Sequence, residues 1–248
     1  GVEAIFTYED VPNTRFTLAG QTYPEPSAYD ALILDSVVRY VGDEVALVVA
    51  KDEATALKAM PLIKVEYEVQ KPVLDLRTAM DHETVVHPED DILNHIPVGQ
   101  DYKRNICVSY HKRVGDIEAE LAKCDYVVEG TYFDQATRQS AMEPFQSFGY
   151  IDHLGRIVIV SSTQIVFHVR RHIARALGIP ASKIRVIKPR IGGGFGSKQT
   201  ACTELMTAFV TWKLQKPCYL LYDRTEAQTC STTRHAREWY IRLGATKD

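Results

Sequence analysis

A glycine-rich segment, residues 192–199, constrains the fold of this chain more than any other feature. It reads Gly-Gly-Gly-Phe-Gly-Ser-Lys-Gln and lies between a strand predicted at residues 183–188 and a helix predicted at residues 200–214. Glycines remove the Cβ barrier to unusual backbone dihedrals, and helix N-termini favour negative charge. The segment therefore predicts either an anion-binding turn or a tight turn that only lets helix and sheet pack closely.

Two familiar nucleotide-binding motifs are excluded by the letters of this segment. A Walker P-loop needs Gly immediately before Lys and Ser or Thr immediately after it, whereas Ser197 precedes Lys198 and Gln199 follows it. A G-x-G-x-x-G fingerprint that began at Gly192 would need its third Gly at position 197, and one that began at Gly194 would need it at position 199. Neither position carries Gly, so a P-loop and a dinucleotide-binding turn are not expected.

A polar triplet, Ser162, Thr163 and Gln164, lies between a strand predicted at residues 157–161 and a helix predicted at residues 166–177. Its hydroxyl side chains are good helix N-caps. The amide of Gln164 offers both a donor and an acceptor to any cleft at the end of that strand. The residues alone leave a local cap and a ligand contact as alternatives.

Composition limits the expected partners and compartment. The formal net charge of -3, with both signs interspersed, gives no electrostatic case for nucleic acid or an anionic membrane. The five cysteines are scattered, with no zinc or iron–sulfur spacing, and no signal peptide is visible, which together favour a reducing cytoplasm. No apolar run approaches the ~20 residues of a spanning helix. Because the chain opens strand-like and without Met, we expect an upstream segment to have been removed.

The predicted elements divide the chain into two domains. Residues 45–50, 52–60 and 63–69 predict strand, helix and strand in a βαβ-like order. In the second block, residues 126–133 and 146–151 predict a hairpin. A helix is predicted at residues 117–124, and Gly178 is predicted to end the helix at residues 166–177. Strands are predicted at residues 218–222 and 238–243. The charged residues Asp223, Arg224 and Glu226 are predicted to end the strand at residues 218–222. The expected bounds are 1–77 for the N-terminal domain, 78–113 for a linker and 114–248 for the second domain.

The triplet at residues 162–164 and the segment at residues 192–198, in this order and at this separation, resemble the molybdenum-cofactor subunit of the xanthine dehydrogenase and aldehyde oxidase family. Residues 35–50 also resemble that family's leading domain. The resemblance covers nearly the whole chain and implies an α+β fold. It implies a small N-terminal α/β hammerhead-like domain, then the first part of a mixed-sheet molybdopterin-binding domain that is incomplete at its C-terminus.

The resemblance also implies roles for individual residues. Gln164 matches a Gln that hydrogen-bonds an oxo ligand of the metal. Phe195 and Gly196, with Gly194 beside them, match a segment whose backbone lies against the molybdenum centre and its pterin. Gln199 matches a substrate-binding position at which xanthine oxidases of the mammalian type carry Glu. No direct metal ligand and no catalytic residue is implied in this chain, because the family's proton-abstracting Glu lies further downstream.

Several side chains have alternative interpretations. Phe195 could be a core aromatic beneath the turn, and Gln199 a solvated residue in the first turn of a helix. Glu143 lies in a Met-Glu-Pro-Phe segment that resembles the family's Met-Glu-Pro-His, and we interpret it as structural rather than as a base. His168 and His172 have the four-residue spacing of zinc ligands, but the neighbouring arginines favour a solvated basic face.

The implied activity is that of a molybdenum hydroxylase of xanthine dehydrogenase type, which oxidises a purine or related N-heterocycle with oxygen from water. The alternatives are an aldehyde oxidase, nicotinate-type hydroxylase or carbon monoxide dehydrogenase relative, and a non-catalytic α/β binding module. The resemblance implies a molybdenum–molybdopterin cofactor, with iron–sulfur clusters and FAD on other domains or subunits. The expected substrate is a small N-heterocycle or aldehyde, a homo-oligomer is a further expectation, and the chain alone is expected to be inactive.

Overall fold

The computed structural model describes residues 1–18 and 22–248 of the chain. Within these ranges the strands form one four-stranded sheet and two two-stranded sheets, and no helix has the length and apolar character needed to cross a bilayer. The α+β prediction is confirmed. In chain order the elements are β1 (Val2–Phe6), β2 (Leu47–Ala50), α1 (Glu53–Ala59), α2 (Leu76–Ala79), α3 (Ile117–Leu121), β3 (Tyr126–Asp134), β4 (Gln146–Ile151), β5 (Ile157–Ser161), α4 (Val166–Leu177), β6 (Ile184–Ile187), α5 (Glu204–Leu214), β7 (Cys218–Leu221), α6 (Arg224–Thr229) and β8 (Arg237–Ala245).

The N-terminal part is built on an antiparallel pair, β1 and β2, followed by α1. Asp52 caps α1 because its carboxylate accepts a hydrogen bond from the Thr55 N–H at 2.8 Å. The predicted strand at residues 63–69 is wrong: this segment has no regular structure, and no described strand pairs with it. Alternating apolar and polar residues form a strand only where a neighbour offers main-chain hydrogen bonds. Here β1 supplies that partner to β2.

A mixed sheet in the order β6-β5-β4-β7 forms the centre of the C-terminal part. β5 and β6 are parallel, with α4 as the crossover between them, and the other two pairs are antiparallel. The helix predicted at residues 166–177 is confirmed, and Gly178 ends it in the left-handed conformation at φ 65°. The predicted hydroxyl cap is wrong, because Thr163 accepts from the Ile165 N–H at 3.1 Å, before the helix begins.

Helix α5 packs against this sheet and is buried around most of its circumference. Phe209 on α5 is fully buried, and its ring meets that of Phe6 on β1 edge-on, with the ring centroids 5.1 Å apart. On the sheet side, the Thr207 and Ser147 hydroxyl oxygens lie 2.7 Å apart. Helix α5 therefore joins the N-terminal strand pair to the central sheet.

The long strands β3 and β8 pair with each other in antiparallel register and are exposed along most of their length. The predicted hairpin of residues 126–133 with 146–151 is therefore wrong, since β4 lies between β5 and β7. Strands β3 and β4 lie in separate sheets. The partner of β3 is β8, which lies so far along the chain that local sequence patterns cannot reveal the pairing.

Helix α6 was not expected, since its charged residues were interpreted as the end of a strand. Its first turn is a capping box: the Asp223 carboxylate accepts from the Glu226 N–H at 2.7 Å, and the Glu226 carboxylate accepts from the Asp223 N–H at 2.7 Å. An Asp followed three residues later by Glu is the sequence signal of such a start. The sequence therefore contains the signal for the start of α6.

Candidate functional site

The two motifs meet because they follow neighbouring parallel strands. The polar triplet follows β5, and the glycine-rich turn lies beyond the end of β6. Carboxyl ends of parallel strands lie at the same edge of a sheet, where ligands of open α/β sheets bind. The Gln164 N–H donates to the Lys198 carbonyl at 2.9 Å, which joins the two segments directly.

The backbone of the turn takes left-handed conformations at Gly193 (φ 100°), Phe195 (φ 51°) and Gly196 (φ 93°). Glycine reaches this region at no steric cost, whereas a residue with a Cβ carries strain there. The glycines at 193 and 196 are therefore required by the path of the chain. The strained Phe195 is exposed, with 67% of its surface accessible.

Consecutive N–H groups of this turn lack an acceptor in the described part of the chain. The Gly192 N–H donates to Glu143 at 2.6 Å, and the Ser197 N–H donates to the Gly194 carbonyl at 2.9 Å. Between them, the N–H groups of residues 193–196 have no protein acceptor among the residues that the structure describes. Successive main-chain donors in left-handed turns form concavities that bind anions and other acceptors.

The side chain of Gln164 lies directly against this turn. A Cβ placed on Gly194 would lie 2.5 Å from the Gln164 Oε1 atom, so a larger residue at this position would displace the amide. Gln164 is exposed, and no group in residues 1–18 or 22–248 forms a hydrogen bond with its side-chain amide. The structure thus brings Gln164 together with Gly194, Phe195 and Gly196. Their cofactor role stays a prediction.

The glycine-rich turn is not followed directly by a helix N-terminus, although the sequence predicted one there. A short 3-10 turn, Ser197–Gln199, follows the glycines, and α5 begins only at Glu204. The prediction that residues 200–214 form one helix directly after the turn is therefore wrong at its start. The available donors come from the turn itself and not from a helix dipole.

Two alternative interpretations of individual side chains are also wrong. Phe195 is not a core aromatic, because it is largely exposed. Gln199 is not in the first turn of a helix: it is half-buried in the 3-10 turn, and its N–H donates to the Gly196 carbonyl at 3.2 Å. Gln199 lies close to the turn, as a substrate-binding residue there would. Its substrate-binding role stays a prediction.

The Glu143 carboxylate accepts hydrogen bonds from both ends of the turn. Its Oε2 atom accepts from the Gly192 N–H at 2.6 Å and from the Lys198 ammonium at 2.7 Å, while Oε1 accepts from the Gln146 amide at 3.1 Å. Burial raises the pKa of the Glu143 carboxyl, but these hydrogen bonds outweigh it and hold the pKa below its ordinary value. Neighbouring Phe145 is buried, and its carbonyl accepts from the Tyr222 N–H at 2.9 Å.

In the sequence, Lys198 helps to exclude a P-loop and is the last residue of the segment that carries the family resemblance, and no role was predicted for its side chain. Its side chain is 2% exposed, and a buried ammonium needs an acidic partner. The Met-Glu-Pro-Phe segment offered a candidate partner, but nothing in the spacing connects position 143 to position 198. Topology alone brings them together.

A second polar cluster, outside the turn, is formed by two histidines of α4 and Glu25 from the N-terminal part. Ligand-type atoms of Glu25, His168 and His172 lie within 4.8 Å of one another, and His172 is buried rather than part of a solvated face. The Arg171 guanidinium donates to Glu25 at 3.2 Å and lies 2.7 Å from His168 Nδ1. Burial raises the pKa of the Glu25 carboxyl, but hydrogen bonds from Tyr29 and Arg171 outweigh it, so the pKa is lowered. Arg171 thus already supplies a cation to this carboxylate.

A cavity of about 420 Å³ lies between the N-terminal part and the segment after Gln199, and does not include the turn. At its wall the Tyr222 hydroxyl donates to Glu44 at 2.5 Å across the two parts of the chain. Burial raises the pKa of the Glu44 carboxyl. We favour the turn over this cavity as the functional site, because four consecutive N–H groups of the turn lack an acceptor among the described residues and lie beside the Gln164 amide.

Comparison with known proteins assigns both parts of the chain. Residues 98–248 match the family model of the molybdopterin cofactor-binding domain. Residues 1–71 match the family model of the aldehyde oxidase and xanthine dehydrogenase a/b hammerhead domain.

Relatives align over the whole chain. The probable hypoxanthine oxidase of Escherichia coli is 37% identical over 272 residues, which cover 100% of this chain and 28% of that protein. The nicotinate dehydrogenase large molybdopterin subunit of Eubacterium barkeri is 30% identical and covers 100% of this chain and 54% of that subunit. The aldehyde oxidoreductase structure from Desulfovibrio gigas has a TM-score of 0.80 at 24% identity, covering 100% of this chain and 26% of that one. This last likeness shows the fold, and the chain spans well under two thirds of each relative.

Proposed function

Because the chain belongs to the molybdopterin cofactor-binding family of xanthine dehydrogenases and aldehyde oxidases, we propose that it forms one wall of the cofactor site of a molybdenum hydroxylase. One observation carries this proposal. The Gln164 amide lies against Gly194, at a turn whose N–H groups at residues 193–196 have no acceptor among the described residues.

The residues of the turn fit a molybdopterin cofactor. Its phosphate, its pterin heteroatoms and the oxygen ligands of its metal are hydrogen-bond acceptors, and the turn offers main-chain and amide donors. The turn itself, residues 192–199, contains no His, Cys, Asp or Glu to coordinate a metal ion. Such a set suits a metal that is held by its own organic cofactor. When bound, the cofactor supplies two-electron oxidation with oxygen from water.

The proposed role of the chain's own residues is to bind the cofactor, to orient it and to shield it from water. The N–H groups of Gly194, Phe195 and Gly196 would hold acceptor atoms of the cofactor in place, and Gln164 would donate from the neighbouring segment. The exposed ring of Phe195 would exclude water from the cofactor on its side of the turn. No proton transfer is assigned to a residue of this chain.

We propose that the substrate is a purine or a related N-heterocycle and that Gln199 contacts it. The names of the hypoxanthine oxidase and nicotinate dehydrogenase relatives support this substrate class, and the aldehyde oxidoreductase fold keeps an aldehyde as the alternative. Compared with Glu, Gln keeps the reach, loses the charge and gains donors. Turnover of hypoxanthine, xanthine, nicotinate and an aldehyde by the complete enzyme, with Gln199→Glu as a variant, separates these substrates. An unchanged substrate preference in the variant would contradict contact at Gln199.

The division into residues 1–77, 78–113 and 114–248 is part of the proposal. Electrons are proposed to leave through iron–sulfur clusters and FAD on other domains or subunits, since the five free cysteines here lack cluster spacing. These free thiols also support a reducing cytoplasm as the location. A homo-oligomer, and the lack of a nucleic-acid or membrane partner, stay predictions.

The proposal is tested by the molybdenum and pterin content of the complete protein, isolated with its partner subunits. We expect near-stoichiometric cofactor in the wild type and a clear loss in Gln164→Ala, with the melting temperature unchanged because the side chain is exposed. A folded complex that never acquires molybdenum would contradict the proposal and favour a non-catalytic binding module.

A further inference from the structure

Lys198 is a buried cation at the centre of the site. Its side chain is 2% exposed, and its ammonium donates to Glu143 Oε2 at 2.7 Å. Removing an ammonium from water is costly unless an opposite charge and hydrogen bonds compensate. The position of this side chain is therefore tied to that of the Glu143 carboxylate.

The main chain of Lys198 makes a second connection. Its carbonyl accepts from the Gln164 N–H at 2.9 Å and, more weakly, from the Thr163 hydroxyl at 3.5 Å. One residue thus joins the glycine-rich turn, through its own backbone, to the segment that carries Gln164. A displacement of Lys198 would move Gln164 as well.

Glu143 fixes the opposite end of the same turn. Its carboxylate accepts from the Gly192 N–H, and its own N–H donates to the Gly192 carbonyl at 3.1 Å. The two ends of the turn, Gly192 and Lys198, are therefore held by one carboxylate. Between these two ends lie the N–H groups of residues 193–196, while the Phe195 carbonyl accepts a weaker hydrogen bond from Arg234 at 3.4 Å.

We propose that the Glu143–Lys198 ion pair is a positioning device that sets the distance between Gln164 and the donors of residues 193–196. The proposal rests on the proposed function of the turn. A buried ion pair adds little net stability compared with apolar residues of the same size. What this pair adds is a fixed position for Lys198, whose carbonyl joins the turn to the segment that carries Gln164.

The test uses Lys198→Met, Glu143→Gln and the double variant in the complete protein. Asp152→Asn is the matched control, because Asp152 also accepts main-chain N–H groups and pairs with a cation, Arg156, at 2.8 Å, away from the turn. Molybdenum and pterin retention after gel filtration is measured together with the melting temperature. Hydrogen exchange of residues 162–166 and 192–199 is measured in the cofactor-free form.

Both single variants are expected to hold the cofactor roughly 10- to 100-fold less tightly, the range found when residues that orient metal-binding groups are removed. The double variant leaves no buried charge unpaired, so its melting temperature should recover while its retention stays low. Exchange should accelerate in both peptides for all three variants and stay unchanged in Asp152→Asn.

Two outcomes would overturn the positioning role. One is exchange in residues 162–166 that is unchanged in Lys198→Met, and the other is a double variant that holds cofactor as the wild type does. A wild type without molybdenum would instead refute the proposed function. The exchange result would then still report whether the pair couples the two segments.

Discussion

Replacing Gly194 by Ala tests whether the Gln164 amide must lie against the turn. The added Cβ would lie 2.5 Å from Gln164 Oε1 and 2.8 Å from its Cδ atom. Because nonbonded atoms prefer separations of about 3.5 Å or more, the amide must move by about 1 Å. Gly194 is not among the glycines with positive φ, so its backbone accepts Ala without strain.

The expected result separates function from stability. The displaced side chain is exposed and moves into solvent, so the free energy of unfolding should change by less than about 1 kcal/mol. A 1 Å misplacement at a reacting centre costs roughly 100-fold in rate. We expect a loss of that order in turnover by the complete enzyme, together with reduced molybdenum and pterin content, at an unchanged melting temperature.

Gly155→Ala is the matched control. Gly155 has φ 69° in the turn between β4 and β5, and no atom lies within 4 Å of its added Cβ. Its backbone strain of about 1–2 kcal/mol should lower the melting temperature without changing cofactor content. The reasoning is refuted if Gly194→Ala keeps wild-type cofactor content and turnover.

Three further predictions concern stability. Phe209→Ala removes a fully buried ring and its contact with Phe6, so urea unfolding followed by tryptophan fluorescence should show a loss of about 3–5 kcal/mol, and a loss below 1 kcal/mol would contradict the packing. Asp223→Ala removes the capping box of α6 and should cost about 1 kcal/mol in the same assay, whereas an equal effect from the exposed Asp90→Ala would argue against capping. Because the pKa of Glu143 is lowered from 4.5 in the folded protein, its stabilising effect is present above pH 4.5 and is lost as pH falls through the folded pKa. The wild type should therefore lose more stability than Glu143→Gln between pH 5 and pH 3, and parallel pH profiles would contradict this.

The parts of the fold that sequence reasoning predicted are those fixed by local patterns. Helix α4 agrees at both ends because an apolar stripe and Gly178 define it within a dozen residues. The hairpin of residues 126–133 with 146–151 failed because pairing depends on residues far apart, and the true partner is β8. The start of α5 failed because the 3-10 turn and the following residues share the polar composition of a first helical turn.

In the candidate site, too, the features that local patterns define were predicted and the long-range contacts were not. The triplet and the glycine-rich turn were found as motifs, because each is a short run of letters with its own physical signature. Their meeting follows from the parallel pairing of β5 and β6. The Glu143–Lys198 pair was missed, because no periodicity links a Glu-Pro turn to a Lys in another loop. The contact between these two side chains becomes visible in the folded structure.

The most direct test of the central claim is the position of molybdenum in crystals of the complete, cofactor-loaded protein, located by anomalous scattering at the molybdenum edge. We predict one peak beside the turn, with the Gln164 amide and the N–H groups of residues 193–196 in hydrogen-bonding reach of the cofactor. A peak elsewhere, with this turn facing solvent or packed against protein, would contradict it.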